Sequence, residues 1–188
     1  MTAAPPVPIL AGPRLRLRAL AERDVDALFA LHSDERVMRY WSFPAWTERR
    51  QAVEHIARLA RERAVAESYA WVATLHGEDR AVGTCSLYAI RRERARGVVG
   101  YSLAPALWGR GLGAEMLGLA LDFAFGALRL RRIEADVDAR NLASCRLAER
   151  AGFVRERVLC ERARGDGSLR QTALYALRRR DYAAASNG

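Results

Sequence analysis

Leu15, Leu17 and Ala19 alternate with Arg16 and Arg18, a two-residue period that predicts an edge or half-buried strand over residues 14–20. The period then lengthens. Glu22-Arg23-Asp24 supplies a negative first turn, and Val25, Leu28, Phe29 and Leu31 recur at helical spacing to about Ser33. An irregular passage from Val37 to Trp46 carries four aromatics, Tyr40, Trp41, Phe43 and Trp46, before Thr47 caps a long helix reaching about residue 66. Two strands, 68–76 and 81–90, form a hairpin across Gly77-Glu78-Asp79-Arg80, and another strand spans 97–103. Met116, Leu117, Ala120, Leu121, Ala124 and Phe125 mark the apolar face of a helix over 111–128. A strand at 131–138 precedes a helix from Leu142 to Ala151, closed by Gly152. Strands near 153–162 and 169–178, joined through Arg164-Gly165-Asp166-Gly167, end the pattern.

The chain of 188 residues, 51% of them apolar, suits a single domain over 1–188 with an ordered core of about 14–180 and short flexible termini. No apolar run approaches a membrane span and Met1-Thr2-Ala3-Ala4-Pro5-Pro6 lacks the form of a signal peptide, so a cytoplasmic location is expected. Cys85, Cys145 and Cys160 are odd in number and scattered, which suits reduced structural thiols, and His32, His55 and His76 show no metal-ligand spacing. No metal is expected. The formal charge of +9 admits a nucleic acid, an acidic partner or a polyanionic cofactor. The clusters Arg91–Arg96 and Arg178–Arg180 have no interleaved aromatics, so they read as solvated surface, and direct nucleic-acid binding is not expected.

Candidate chemistry centres on Leu107-Trp108-Gly109-Arg110-Gly111-Leu112-Gly113-Ala114-Glu115, where glycines stand at alternate positions between a strand and a helix. Such a turn exposes backbone N–H groups at the positive end of a helix dipole, a place for a diphosphate. A P-loop would need Lys and then Ser or Thr after the last glycine, where this chain has Ala114 and Glu115. A dinucleotide fingerprint is met by Gly109, Gly111 and Ala114, with Glu134 about 20 residues on, but Pro105-Ala106-Leu107-Trp108 separates the glycines from their strand.

The loop resembles the Q/R-x-x-G-x-G/A phosphate loop of the GNAT-type N-acetyltransferases, with Gly111 and Gly113 in the small positions. Trp108 replaces the usual Gln or Arg, as in the RimJ/RimL-like branch. The segment Asn141-Leu142-Ala143-Ser144-Cys145-Arg146-Leu147-Ala148-Glu149-Arg150-Ala151-Gly152-Phe153 resembles the family's next motif, N-x-x-S/A-x-x-L-x-x-x-x-G-F, in the family's order. The resemblance implies an α/β (α+β) fold, a central mixed, mostly antiparallel twisted sheet of about six to seven strands flanked by about four helices and splayed between the fourth and fifth strands.

It also implies acetyl-CoA as acetyl donor and a primary amine as acceptor. The backbone of Ser102 and Leu103 would run beside the pantetheine, Arg110, Gly111, Leu112, Gly113 and Ala114 would surround the diphosphate, and Asn141 would contact the pantetheine arm or fix the loop. Tyr40, Trp41, Phe43 and Trp46 either close one end of the core or line the acceptor pocket. The tyrosine that many relatives use as the acid is here Ala148, so the resemblance points instead to Ser144. The strand carboxylate common in relatives is replaced by Val98, which leaves Glu161 as the expected base. The acceptor read this way is a protein N-terminus, such as that of a ribosomal protein, or a small amine such as an antibiotic or polyamine. A non-catalytic acyl-CoA-binding or ribosome-associated module is the reading from another class, and a homodimer stays open.

Overall fold

The computed structural model describes residues 6–65, 68–162 and 169–186. Eight strands form one sheet in the order β1-β2-β3-β4-β5-β6-β8-β7: β1 Leu10–Ala11, β2 Leu15–Ala19, β3 Tyr69–Leu75, β4 Gly83–Arg91, β5 Arg96–Leu103, β6 Arg132–Asp138, β7 Val154–Arg162 and β8 Leu169–Arg178. All neighbours are antiparallel except β5 and β6. That parallel pair needs a crossover, and α4 (Leu112–Phe125) provides it. The expected mixed, mostly antiparallel sheet is present with one more strand than the upper expectation, because the two-residue β1 is too short to show a period.

Among the described residues six α-helices accompany the sheet: α1 Val25–His32, α2 Glu35–Met38, α3 Arg49–Val65, α4, α5 Leu142–Arg150 and α6 Arg179–Ser186. The additional two are α2, four residues inside the passage read as irregular, and α6, which begins in the arginine cluster read as surface. Alternate residues of β3 divide the core. Tyr69, Trp71 and Ala73 join the large cluster with Met116, Leu117, Ala120 and Leu121 of α4 and Cys145 and Ala148 of α5. Val72 faces the other way, into a smaller cluster with Val25, Leu28, Trp46 and Ala52 under α1 and α3.

Several boundaries differ from the sequence reading for local reasons. Helix α3 begins at Arg49, two residues after Thr47, and the Oε1 of Gln51 reaches back to accept the N–H groups of Thr47 and Glu48 at 2.8 and 2.9 Å. Helix α4 stops at Gly126, whose N–H returns to the Asp122 carbonyl, so Leu128 and Leu130 enter the core from a loop. Gly152 does close α5, with φ +91° and its N–H on the Glu149 carbonyl at 3.0 Å. Arg18, a polar alternate of the first predicted strand, and Asp24, of the negative first turn, are 6% and 2% exposed and form a two-pronged ion pair at 2.7 and 2.8 Å, with Asp79 on the guanidinium Nε. A buried charge is tolerable only when paired in this way. The turn read at Arg164-Gly165-Asp166-Gly167 lies outside the described residues.

Candidate active site

Pairing between β5 and β6 covers only Arg96 with Arg132, Gly97 with Ile133 and Val98 with Glu134. Beyond Val98, β5 stays paired to β4 as far as Leu103, and beyond Glu134, β6 stays paired to β8 as far as Asp138. The facing edges of the two strands therefore part, and main-chain groups along the opening have no ladder partner across it. This is the splay that the resemblance implies, falling between the fifth and sixth strands once β1 is counted. The Leu103 carbonyl on this edge accepts the indole N–H of Trp108 at 2.7 Å, which gives the tryptophan a structural task in the loop. Ser102 is 6% exposed, and its hydroxyl shares a hydrogen with Thr84 Oγ1 at 2.7 Å.

The glycine loop leads from β5 into α4. Gly109 and Gly111 have φ of +74° and +76°, the left-handed region that a side chain disfavours. Gly111 stands at the N-cap, and no side chain among the described residues caps the helix. The first N–H groups of α4, on Leu112, Gly113 and Ala114, have no intrahelical acceptor, and they carry the positive end of its dipole. Gly113 serves packing instead, since a Cβ there would meet Leu147 Cδ2 of α5 at 3.3 Å.

Arg14 is a neighbour of this loop that the sequence reading passed over. Its Nη1 donates to the Arg110 carbonyl at 2.7 Å, and its Nη2 lies 3.3 Å from where a Gly111 Cβ would stand. Glu115 fixes the arginine by accepting its backbone N–H and its Nε, both at 2.7 Å. The contact spans about a hundred residues of chain, so no local pattern announces it.

Asn141 and Ser144 come together on the same side of the sheet. The Asn141 Oδ1 accepts the Ser144 N–H at 3.1 Å and so caps α5, which directs the first turn of that helix at the end of β6. Ala148 is 1% exposed in the core, about one turn beyond Ser144. Tyr101 of β5 packs against the large core cluster, and its hydroxyl is buried with no hydrogen-bond partner among the described residues. Burial pushes the Tyr101 phenol up to about 12, and the nearby Ser144 hydroxyl moderates the shift. Cys85, fully buried beside this group, is also pushed up to about 12 by burial and is an inert thiol.

The aromatic passage lies towards α1 and α3. Trp46 is 8% exposed and belongs to the core there, with its ring 4.4 Å from His32 and 5.3 Å from His55 between centroids. Trp41 and Phe43 form a pair at 5.3 Å, and Trp41 packs with Leu31, Met38 and Ala104, at the end of β5. Tyr40 lies under the guanidinium of Arg39. The Trp41 carbonyl accepts a hydrogen bond from Arg170 of β8, whose Nε is buried without a partner among the described residues. Glu161 is the register partner of Arg170 in the β7–β8 pair, and its side chain lies outside the described residues. Among the described residues no group of three or more His, Cys, Asp or Glu could hold a metal, and no helix is long and apolar enough to cross a membrane.

Comparison with known proteins agrees with this geometry. A family model described as an acetyltransferase (GNAT) domain matches residues 14–154. The uncharacterized N-acetyltransferase YoaA of Bacillus subtilis is 30% identical over 170 residues, which are 90% of this chain and 96% of YoaA. The spermidine N(1)-acetyltransferase of Vibrio cholerae is 27% identical over 152 residues, 79% of this chain and 83% of that one. The structure of Mycobacterium smegmatis RimJ in complex with CoA-disulfide superposes with a TM-score of 0.79 at 22% identity, covering 98% of this chain and 95% of RimJ. The chain belongs to the GNAT acetyltransferase family, and its activity is acetyl transfer to an amine.

Proposed function

We propose that the protein transfers the acetyl group of acetyl-CoA to the α-amino group of a peptide or protein N-terminus, in the manner of the RimJ/RimL-like branch. The observation that carries the reading is the opening between β5 and β6 beneath an uncapped helix N-terminus. Its residues fit the donor: the N–H groups of Leu112, Gly113 and Ala114 suit the diphosphate, with Arg110 and Arg14 adding charge, and the opening beside Ser102 and Leu103 suits the amide-bearing pantetheine. The bound group supplies an activated thioester. Asn141 fixes the turn that presents Ser144, and the Ser144 hydroxyl meets the charge that develops on the leaving sulfur. Glu161 is assigned to proton removal from the incoming ammonium through water, because only the neutral amine attacks.

The acceptor class rests on Arg170. A guanidinium held at the Trp41 carbonyl puts a fixed positive charge beside the aromatic passage, which disfavours a polycation there. A polyamine acceptor is the second reading, favoured by the resemblance to the spermidine enzyme. The test measures CoA release with short N-terminal peptides and with spermidine at equal concentration. The proposal expects kcat/KM for the best peptide to exceed that for spermidine, with mass spectrometry finding the acetyl group on the α-amine. Preference for spermidine would transfer the assignment to polyamines.

A further inference from the structure

The absence of a tyrosine at position 148 leaves a question about what supports Ser144. A serine hydroxyl is a weak donor with a freely turning proton, and aiming it needs a second group. The neighbourhood contains one such group that no other contact uses. Tyr101 enters from β5, beyond the last β5–β6 pair, on the face where Val99 and Leu103 pack against α4 and α5. Its ring is partly buried and packs against the core, and its hydroxyl oxygen is buried without a hydrogen bond among the described residues. A buried polar group in that state is uncommon and calls for an explanation in function or in a partner that arrives later. The other polar groups of the locality are engaged: Tyr175 donates to Glu149 at 2.9 Å, Asn141 caps α5, and the Ser102 and Thr84 hydroxyls hold each other.

We infer that Tyr101 is a positioning residue for acetyl transfer: its O–H donates to Ser144 Oγ when donor and acceptor are bound, and this turns the serine's own proton towards the thioester sulfur. The inference rests on the assignment of Ser144 above. Hydrogen bonds in an enzyme without substrate are often long and tighten in the productive complex, which accounts for two neighbouring hydroxyls short of bonding geometry. The elevated phenol pKa keeps Tyr101 protonated through the neutral range, so it serves as donor and never as base. In the transfer, the amine nitrogen forms the new C–N bond and the C–S bond breaks with its electron pair on sulfur. The nitrogen's surplus proton leaves through water, the thiolate regains one from water, and Tyr101 keeps its own. The family's phenol at position 148 is thus replaced by a phenol from the neighbouring strand acting at one remove.

The experiment is a double-mutant cycle with Tyr101→Phe and Ser144→Ala, read by steady-state CoA release and by calorimetric binding of acetyl-CoA. Tyr101→Phe is expected to lower kcat on the order of 10-fold with acetyl-CoA affinity unchanged, and its thermal midpoint should not fall, since it removes only an unpaired hydroxyl. In the Ser144→Ala background the same change should have no further effect on kcat. Undiminished kcat in Tyr101→Phe overturns the inference. So does a loss of equal size in both backgrounds, which would mean that Tyr101 acts independently of Ser144. A wild-type protein that releases no CoA with any amine would instead overturn the functional reading on which the inference rests.

Discussion

A left-handed backbone and a close approach meet at Gly111, where φ is +76° and Arg14 already stands 3.3 Å from the position of a Cβ. Gly111→Asp would add left-handed strain of about 1–2 kcal/mol and a carboxylate at the proposed diphosphate site. The variant should fold with a lowered midpoint and bind acetyl-CoA on the order of 10- to 100-fold more weakly in calorimetry. Unchanged affinity in a folded variant would remove the loop from its role. The loop glycines were legible in the sequence because positive φ is written in residue type. Arg14 and Tyr101 were not, since each gains its meaning from a contact with a distant segment. Trp46 shows the converse: an aromatic cluster is visible in sequence, but which member is core depends on how α1 and α3 pack.

At the scale of elements, α1 and α3 are joined by two histidines whose neutral forms the fold requires. His32 is buried and donates its Nδ1–H to the Leu28 carbonyl at 3.1 Å, and burial lowers its pKa. His55 accepts from Arg58 Nη2 at 3.0 Å, which only a neutral ring can do. Burial first, then the charge of Arg58, lower the His55 pKa from 6.5 to about 4. Between those values the unfolded chain binds more protons than the folded one, so stability is full above about pH 6.5 and falls as pH drops towards 4. From pH 7 to pH 5 the loss from His55 should be on the order of 2 kcal/mol, with His32 adding in the same direction. Denaturant melts at the two pH values check this, and His55→Gln should flatten the dependence. A wild-type stability that does not fall on acidification would contradict the packing described. The sequence could place α1 and α3, but not the burial of His32 at the end of one and the half-burial of His55 on the other. It also could not show the four-residue α2, which is shorter than any helical period needs.

For the whole molecule, the decisive feature is topological. One parallel pair in an otherwise antiparallel sheet forces a crossover helix to begin at the C-terminal end of β5, and there the two strands are free to part. The succession of strands along the chain, the helix between β5 and β6 and the second motif were readable in sequence because each leaves a period or a spacing. The register at which pairing stops was not, since Val98 and Glu134 carry no mark of being the last pair. A net charge of +9 makes the molecule attractive to a polyanion, and the uncapped helix N-terminus gives that attraction a destination. The most direct measurement is a crystal structure of the protein grown with CoA. The account predicts the pantetheine between β5 and β6 beyond Val98, the diphosphate on the N–H groups of Leu112 to Ala114, and the sulfur next to Ser144. CoA bound away from that opening, or a β5–β6 ladder that continues unbroken past Val98 in the complex, would contradict it.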